Sequence, residues 1–397
     1  MKTTGPRLFL IAGEPSGDLL GASLIAGLRE LCGDTLVLEG VGGPAMEAAG
    51  LTSRFPMDEL SVMGIAEVLP RLPRLLARIR QTADAVAAMR PDALITIDSP
   101  DFSLRVAGAA RKRLPGLRTI HYVAPSVWAW RPGRAARMAK VVDHVLALLP
   151  FEPPYMEAAG MTCDFVGHPA AALPRASDTE IARLRQDLGI ADRPLVVLLP
   201  GSRRGEVRRL APVFSEVLAR LRATHPDLAA VVPAAAPVAD LVRELMPPDA
   251  AGQPLILDPR GLTAGEATAR KHAAFAAAGA ALAASGTVSL ELAAQGAPMV
   301  IAYDGNPLSV AIARRLIRID TATLVNLVTD SRIVPEFIFE NCRSELIAPA
   351  SARLLDDPAA AAAQRATGTE AMRLLGRDGD PPGLRAARSV LDAIGSG

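Results

Sequence analysis

Short apolar runs along this chain alternate with stretches whose apolar positions fall three and four residues apart. Leu8–Ala12 is such a run, and Leu20, Leu24, Leu28 and Leu31 after it share one helical face, which predicts a strand, a loop and a helix. Further strands are predicted at Thr35–Glu39, Ala93–Ile97, Thr119–Val123 and Val141–Leu149, the last closing the first half. The second half repeats the rhythm. It has strands at Leu195–Leu199, Ala229–Val232, Leu255–Leu257 and Ala280–Ala284, with helices over Val207–Ala223, near Val238–Met246, over an Ala-rich stretch and over Val288–Gln295. Strands that are apolar throughout, each followed by a helical pattern, predict an α/β protein with two doubly wound parallel sheets. The segment Pro169–Pro174 precedes a helix and polar connector, Asp178–Arg193, and marks the boundary between two domains, residues 1–172 and 173–375.

A length of 397 residues fits two domains, and 50% hydrophobic residues are enough for two cores. The charge is nearly balanced, 43 basic against 42 acidic residues, so the chain as a whole is not a nucleic-acid binder. Cys32, Cys163 and Cys342 are odd in number and far apart, which suits reduced thiols in a cytosolic protein. Leu8–Ala12 is too short for a signal-peptide core and Ala273–Ala284 too short and weakly apolar for a membrane span. The five histidines lack paired-ligand spacing, so no zinc site is expected; His168, before a proline at the boundary, is the one suspected of ligand contact, against a satisfied loop histidine.

Candidate chemistry gathers at the carboxyl ends of the predicted strands. Leu195–Leu199 breaks into Gly201-Ser202-Arg203-Arg204 and then a helix. Backbone N–H groups at such a helix start are unpaired and favour an anion, with the two arginines beside them. Ser285-Gly286-Thr287 opens a helix carrying Glu291, which suggests a diphosphate seat and a ribose-binding carboxylate; capping and an ordinary surface glutamate explain the same residues. In the first half, Gly13–Asp18 has neither dinucleotide nor P-loop spacing, and Ser16 or Asp18 serves equally as a helix cap. Asp98 ends the Ala93–Ile97 strand and is the candidate general base; Asp101 is either a second carboxylate or an N-cap.

Two stretches suggest amphiphilic contacts. Leu60–Ile79 mixes apolar residues with Arg71, Arg74 and Arg78, is broken into short helical pieces by Pro70 and Pro73, and suits either an anionic lipid surface or packing on a sheet. Both tryptophans, Trp128 and Trp130, lie in one loop, where they contact a sugar or lipid or simply pack the loop down. Arg131, Arg134, Arg137 and Lys140 then recur at a spacing of three, as a solvated face or a basic surface.

The strings AGEPSGD (12–18), GVGGP (40–44), VMGIAEVL (62–69), IDSPDF (97–102), HYVAPSVWAW (121–130), LPFE (149–152), VGHP (166–169), LLPGSR (198–203), SGTVSLE (285–291), LVN (324–326) and VPE (334–336) resemble, in order, those of the lipid-A-disaccharide synthase family. The resemblance implies a GT-B glycosyltransferase, two Rossmann-like domains facing across a cleft, with residues 376–397 returning to the first domain. It implies inverting, cofactor-free and metal-independent transfer of 2,3-diacylglucosamine from its UDP derivative to 2,3-diacylglucosamine 1-phosphate. Asp98 would deprotonate the acceptor and Arg203 would neutralise the departing diphosphate. Gly201, Ser202, Glu206, Ser285, Gly286, Thr287, Glu291 and Asn326 would hold the UDP donor. The acceptor and its acyl chains would meet Glu14, Ser16, Gly17, Asp18, Met63, Ser126 and Trp128. The enzyme would then be cytoplasmic, peripheral on the anionic cytoplasmic face of the inner membrane, with a homodimer open.

Three positions depart from the family pattern: Ser103 where an asparagine is common, Phe339 where a glutamine is common, and the turn-like Asp378-Gly379-Asp380-Pro381-Pro382, to which no metal is assigned. Two other functions compete, a UDP-sugar 2-epimerase on the same fold and a non-catalytic nucleotide-sugar-binding protein. The epimerase needs no lipid acceptor and does not explain the Trp-rich loop beside the apolar-basic segment, and the retention of Asp98 and Arg203 argues against the non-catalytic protein.

Overall fold

A computed structural model describes residues 5–395 apart from 61–64, 132, 249–251, 307–309 and 311–318, and apart from the side chains of 65–71. Two units emerge, Met1–Ala172 with Leu375–Gly397, and Leu173–Leu374.

The first unit is built on six parallel strands: β1 Arg7–Ala12, β2 Val37–Val41, β3 Ala93–Ile97, β4 Arg118–Tyr122, β5 His144–Ala147 and β6 Thr162–Phe165, in the order 2-1-3-4-5-6. Side chains alternate across β1: Leu8, Leu10 and Ala12 enter one core, Phe9 and Ile11 the other. Helices therefore cover both faces. α1 (Pro15–Cys32) lies on the first, while α3 (Ile65–Met89) and α4 (Pro100–Arg113) lie on the second; α2 (Pro44–Ala48), α5 (Gly133–Met138) and α6 (Pro153–Glu157) are short.

The closing helix Pro382–Gly395 packs on α1 in this unit and places Ala386, Ala387 and Val390 in its core. The two helices approach so closely that a Cβ on Gly27 would lie 2.5 Å from the carbonyl oxygen of Gly383. Ser389 on the closing helix hydrogen-bonds His144 Nε2 at 2.8 Å and donates to Asp164 at 2.6 Å, tying it to β5 and β6.

The second unit repeats the plan with β7 Leu195–Leu199, β8 Ala229–Pro233, β9 Leu255–Leu257, β10 Ala280–Ala284, β11 Met299–Tyr303 and β12 Glu336–Ile338, parallel, in the order 12-11-10-7-8-9. Its helices are α7 Asp178–Asp187, α8 Arg204–Thr224, α9 Ala239–Leu245, α10 Ala264–Ala276, α11 Val288–Gln295, α12 Leu324–Thr329, α13 Ser344–Asp356 and α14 Pro358–Leu374. The face of α8 formed by Val207, Leu210, Phe214, Val217 and Leu221 is buried against β7, β8 and β10, as a 3.6-residue apolar period requires.

Several expectations are corrected. β5 is not the last strand of the first unit, because β6 pairs with it through Cys163 and Phe165. β2 starts two residues later than expected, since pairing Arg7 with Val37 and Ile11 with Val41 sets its register and Gly33–Thr35 forms a separate helical turn. α3 runs unbroken through Pro70 and Pro73. A proline removes one helical hydrogen bond and bends a helix, but need not end it, and the buried stripe Ile79, Ala83, Val86 and Met89 anchors α3 on the sheet. Among the described residues no helix is long and apolar enough to cross a membrane.

Candidate functional site

In each sheet the strand order reverses once, between β1 and β3 and between β7 and β10. Loops diverge at such a point and leave a crevice at the carboxyl ends of the strands. The predicted site residues fall largely at these two places, one in each unit.

In the first unit the loops after β1 and β3 converge. Asp98 and Ser99 both take left-handed backbone angles, φ 52° and 43°. Two such residues in succession store strain where β3 turns into α4. The turn is held by its own polar groups: Asp98 N–H donates to the Tyr122 carbonyl, and Ser103, fully buried, donates to the Asp98 carbonyl at 3.0 Å. Ser103 thus locks the Asp98 backbone. One Asp98 oxygen accepts the Ser99 N–H at 2.9 Å, and the other faces Ser16 Oγ at 3.4 Å. Ser99 Oγ reaches Glu14 at 3.5 Å. Glu14, Ser16, Asp98 and Ser99 therefore form one polar cluster open to solvent, and Gly17 beside Ser16 is buried. Asp101, in the first turn of α4, does not cap it; Ser99 is the N-cap residue.

Asp18 does not join them, nor does it cap α1. Its buried carboxylate accepts the N–H groups of Gly43, Ala45 and Met46 at 2.8, 2.9 and 3.0 Å and so caps α2. Met63 lies outside the described residues. Trp128 packs its loop down: the indole meets Phe151 edge-on at 5.1 Å and donates to Glu152 at 3.2 Å. Ser126 is exposed in the same loop. His168 is a satisfied loop histidine whose Nδ1 accepts the Ala170 N–H. On α3, Arg74 and Arg78 both fork onto Glu59, with Arg78 also over the Phe55 ring at 4.4 Å. These two arginines are therefore engaged within the protein, while Leu72 and Leu76 stay about 40% exposed.

Glu152 is almost fully buried, and burial pushes its carboxyl up to about 7 despite hydrogen bonds from Leu149, Trp128 and Leu148. A carboxyl whose pKa rises on folding lends stability that is complete below its ordinary value of 4.5 and lost as pH rises through 7. We expect the unfolding free energy to fall by roughly 2–3 kcal/mol between pH 4.5 and 8 through this group. Glu152→Gln should flatten that slope, as read by urea unfolding followed by tryptophan fluorescence across the pH range.

In the second unit a cavity of about 760 Å³ opens at the β7/β10 reversal. It is lined by Gly201, Ser202, Arg203, Glu206 and the Ser285–Thr287 loop, by Ile256–Pro259 at the end of β9 and just beyond it, and by α10. Gly201 has φ 117°, and a Cβ there would lie 2.6 Å from that of Glu206, so only glycine makes this turn. The amides expected to be unpaired are not: Glu206 Oε2 accepts the Ser202 and Arg203 N–H groups at 3.2 and 3.3 Å. A carboxylate of the chain itself occupies the anion seat at the start of α8. Arg203 is 65% exposed and 3.5 Å from Glu206, a loose pair that a diphosphate can displace.

Glu291 lines the cavity and pairs with Lys271 of α10 at 2.6 Å. Asn326 does not line it. Fully buried, it accepts the Val334 N–H and donates to the Val334 carbonyl, Thr321 and Glu336. Glu336 in turn holds the N–H groups of Ala322 and Thr323, and Ser285 Oγ donates to the Ala322 carbonyl at 3.0 Å. Asn326 thus supports the loop that carries Ser285. Phe339 stacks edge-on with Tyr303, and Asp380 pairs with Arg388 of the closing helix. The cavity also holds residues that spacing did not point to, chiefly Arg270, Lys271 and the Ile256–Pro259 backbone. They lie on elements predicted for their apolar faces, and only the fold brings them to the pocket.

Residues 8–379 match the family described as lipid-A-disaccharide synthetase. The lipid-A-disaccharide synthase of Ruegeria pomeroyi is 60% identical over 98% of this chain and 95% of its own, and that of Rhodospirillum centenum 49% identical over 98% and 94%. Two solved structures share the fold. The UDP-GlcNAc 2-epimerase of Neisseria meningitidis bound to UDP-GlcNAc has a TM-score of 0.62 at 11% identity, over 98% of this chain and 100% of that one. The S. aureus MnaA–UDP co-structure has a TM-score of 0.64 at 14% identity, over 97% and 95%.

Proposed function

The chain belongs to the lipid-A-disaccharide synthase family, and on that premise we propose how it acts as a glycosyltransferase of lipid A biosynthesis. The donor is UDP-2,3-diacylglucosamine and the acceptor 2,3-diacylglucosamine 1-phosphate. Asp98 takes the proton of the acceptor 6-hydroxyl as its oxygen attacks the anomeric carbon of the donor sugar. The bond to UDP breaks on the opposite face, which gives a β-1,6 linkage. Negative charge grows on the departing diphosphate, where Arg203 and the start of α8 stabilise it. For UDP to bind, the Glu206 carboxylate gives up the Ser202 and Arg203 amides to phosphate oxygens, and Glu291 accepts the ribose hydroxyls. Ser285, Gly286 and Thr287 line the same cavity.

One observation carries this reading: the cavity of the second unit has a cationic rim at Arg203 beside a helix N-terminus, and Glu291, paired with Lys271, in its lining. A 2-epimerase would share that pocket, but its likeness to this chain is one of fold alone, whereas family membership selects the transferase. The acyl chains call for an apolar surface, and the exposed Leu72 and Leu76 on α3 suit peripheral contact with a lipid layer. The test is a micelle assay with both lipid substrates and EDTA present, following UDP and disaccharide by mass spectrometry. Acceptor-dependent formation of both products is expected. UDP binding without product would overturn the transferase reading.

A further inference from the structure

The wall of the nucleotide cavity contributed by α10 has no part in the chemistry above, yet its charges are placed with care. Lys271 Nζ lies 2.6 Å from Glu291 Oε2, and His272 Nε2 stands 3.8 Å from the same oxygen. Both contacts fall on Oε2, which leaves Oε1 to an incoming hydroxyl pair. Burial works against a charged Glu291, but the nearby His272 ring and the Lys271 ammonium outweigh it and hold the carboxyl below its ordinary range. One residue before Lys271, Arg270 also lines the cavity, and its Nε is buried without a hydrogen-bond partner. An orphaned buried donor in a ligand cavity is a group awaiting an acceptor.

Resting on the nucleotide reading of this cavity, we propose that α10 supplies its specificity: Lys271 is a positioning residue that orients Glu291 to read the ribose diol, and Arg270 Nε donates to an oxygen of the bound nucleotide. Two consecutive residues on a helix point about 100° apart, and here one grips the protein's own carboxylate while the other is left to the ligand. The two residues therefore differ in what they discriminate. Lys271 acts through Glu291 and matters most for ligands that offer it both ribose hydroxyls. Arg270 acts on the ligand directly and does not sense the 2′-hydroxyl.

Calorimetric titration of the full-length protein with UDP and with 2′-deoxy-UDP separates them. The wild type is expected to bind UDP about tenfold more tightly than 2′-deoxy-UDP, the value of one hydrogen bond to a charged acceptor. Lys271→Met should bring that ratio towards one by weakening UDP more than 2′-deoxy-UDP, with Lys271→Arg restoring most of it. Arg270→Met should weaken both nucleotides by about the same factor and leave the ratio near ten. If the wild type prefers UDP and Lys271→Met keeps the ratio, the positioning role of Lys271 is wrong. Unchanged affinities in Arg270→Met would remove Arg270 from the site. Equal binding of the two nucleotides by the wild type would show that Glu291 does not read the diol, which overturns the proposal. A wild type that binds neither would overturn the nucleotide reading itself.

Discussion

Asp98→Asn is expected to reduce turnover about 10³-fold, within the range of roughly 10²–10⁴ that a positioned acid–base group contributes, while leaving UDP affinity within about a factor of two. The change is well suited to this position. Asp98 has φ 52°, and asparagine is among the few residues that accept a left-handed backbone readily. Its amide oxygen can still accept the Ser99 N–H, and the backbone bonds to Tyr122 and Ser103 do not involve the side chain. What disappears is the second carboxylate oxygen, the one facing Ser16 Oγ, and with it the capacity to take a proton. Asp98→Ala provides the contrast, since it removes the base and also places alanine in a strained backbone; it should lose activity and thermal stability together. The measurement is kcat under saturating lipid substrates beside calorimetric UDP binding and a melting curve. Asp98→Asn with wild-type kcat would remove Asp98 from the chemistry.

The fold was legible because its strands are buried on both faces. β3, β7, β9 and β10 begin and end where their apolar runs do. β6, with Asp164 in its middle, and β12, three residues opening on Glu336, lie at sheet edges, where a strand need not be apolar, and neither is in the expected set. Nor is β11, Met299–Tyr303, although it is apolar and largely buried. Positions of site residues were legible for a related reason: the strand ends set where Asp98, Gly201 and Ser285 must lie. Partner choice was not. Asp18 finds its hydrogen bonds 25 to 28 residues away at α2, Asn326 turns inward to Val334, and Glu291 meets Lys271 from the preceding helix. A short polar side chain at a loop bonds to whatever the tertiary fold brings within about 3 Å, and no local spacing encodes that.

Glu206 sharpens what to expect of Arg203→Ala. The α8 N-terminus is already satisfied by the Glu206 carboxylate, so a diphosphate arriving there must displace one anion with another, and the helix dipole alone offers little net gain. The guanidinium of Arg203, 65% exposed and only loosely paired at 3.5 Å, is the cation on that rim free to follow the charge as it moves onto the leaving group. We therefore expect Arg203→Ala to lower kcat by about 10²–10³-fold, the usual cost of removing one preorganised donor from a developing oxyanion. The donor KM should rise less than tenfold, because Glu291 and the Ser285–Thr287 loop, proposed to hold the nucleotide, are untouched by the change. Arg203→Lys should recover only part of the loss, since an ammonium brings the charge without the planar fork that grips two oxygens. Glu206→Gln is the informative companion. It leaves an acceptor on the two amides but removes the competing charge, so it should tighten UDP binding, whereas Arg203→Ala should weaken it. A kcat unchanged in Arg203→Ala, with UDP affinity also unchanged, would show that the departing diphosphate is stabilised by some other group.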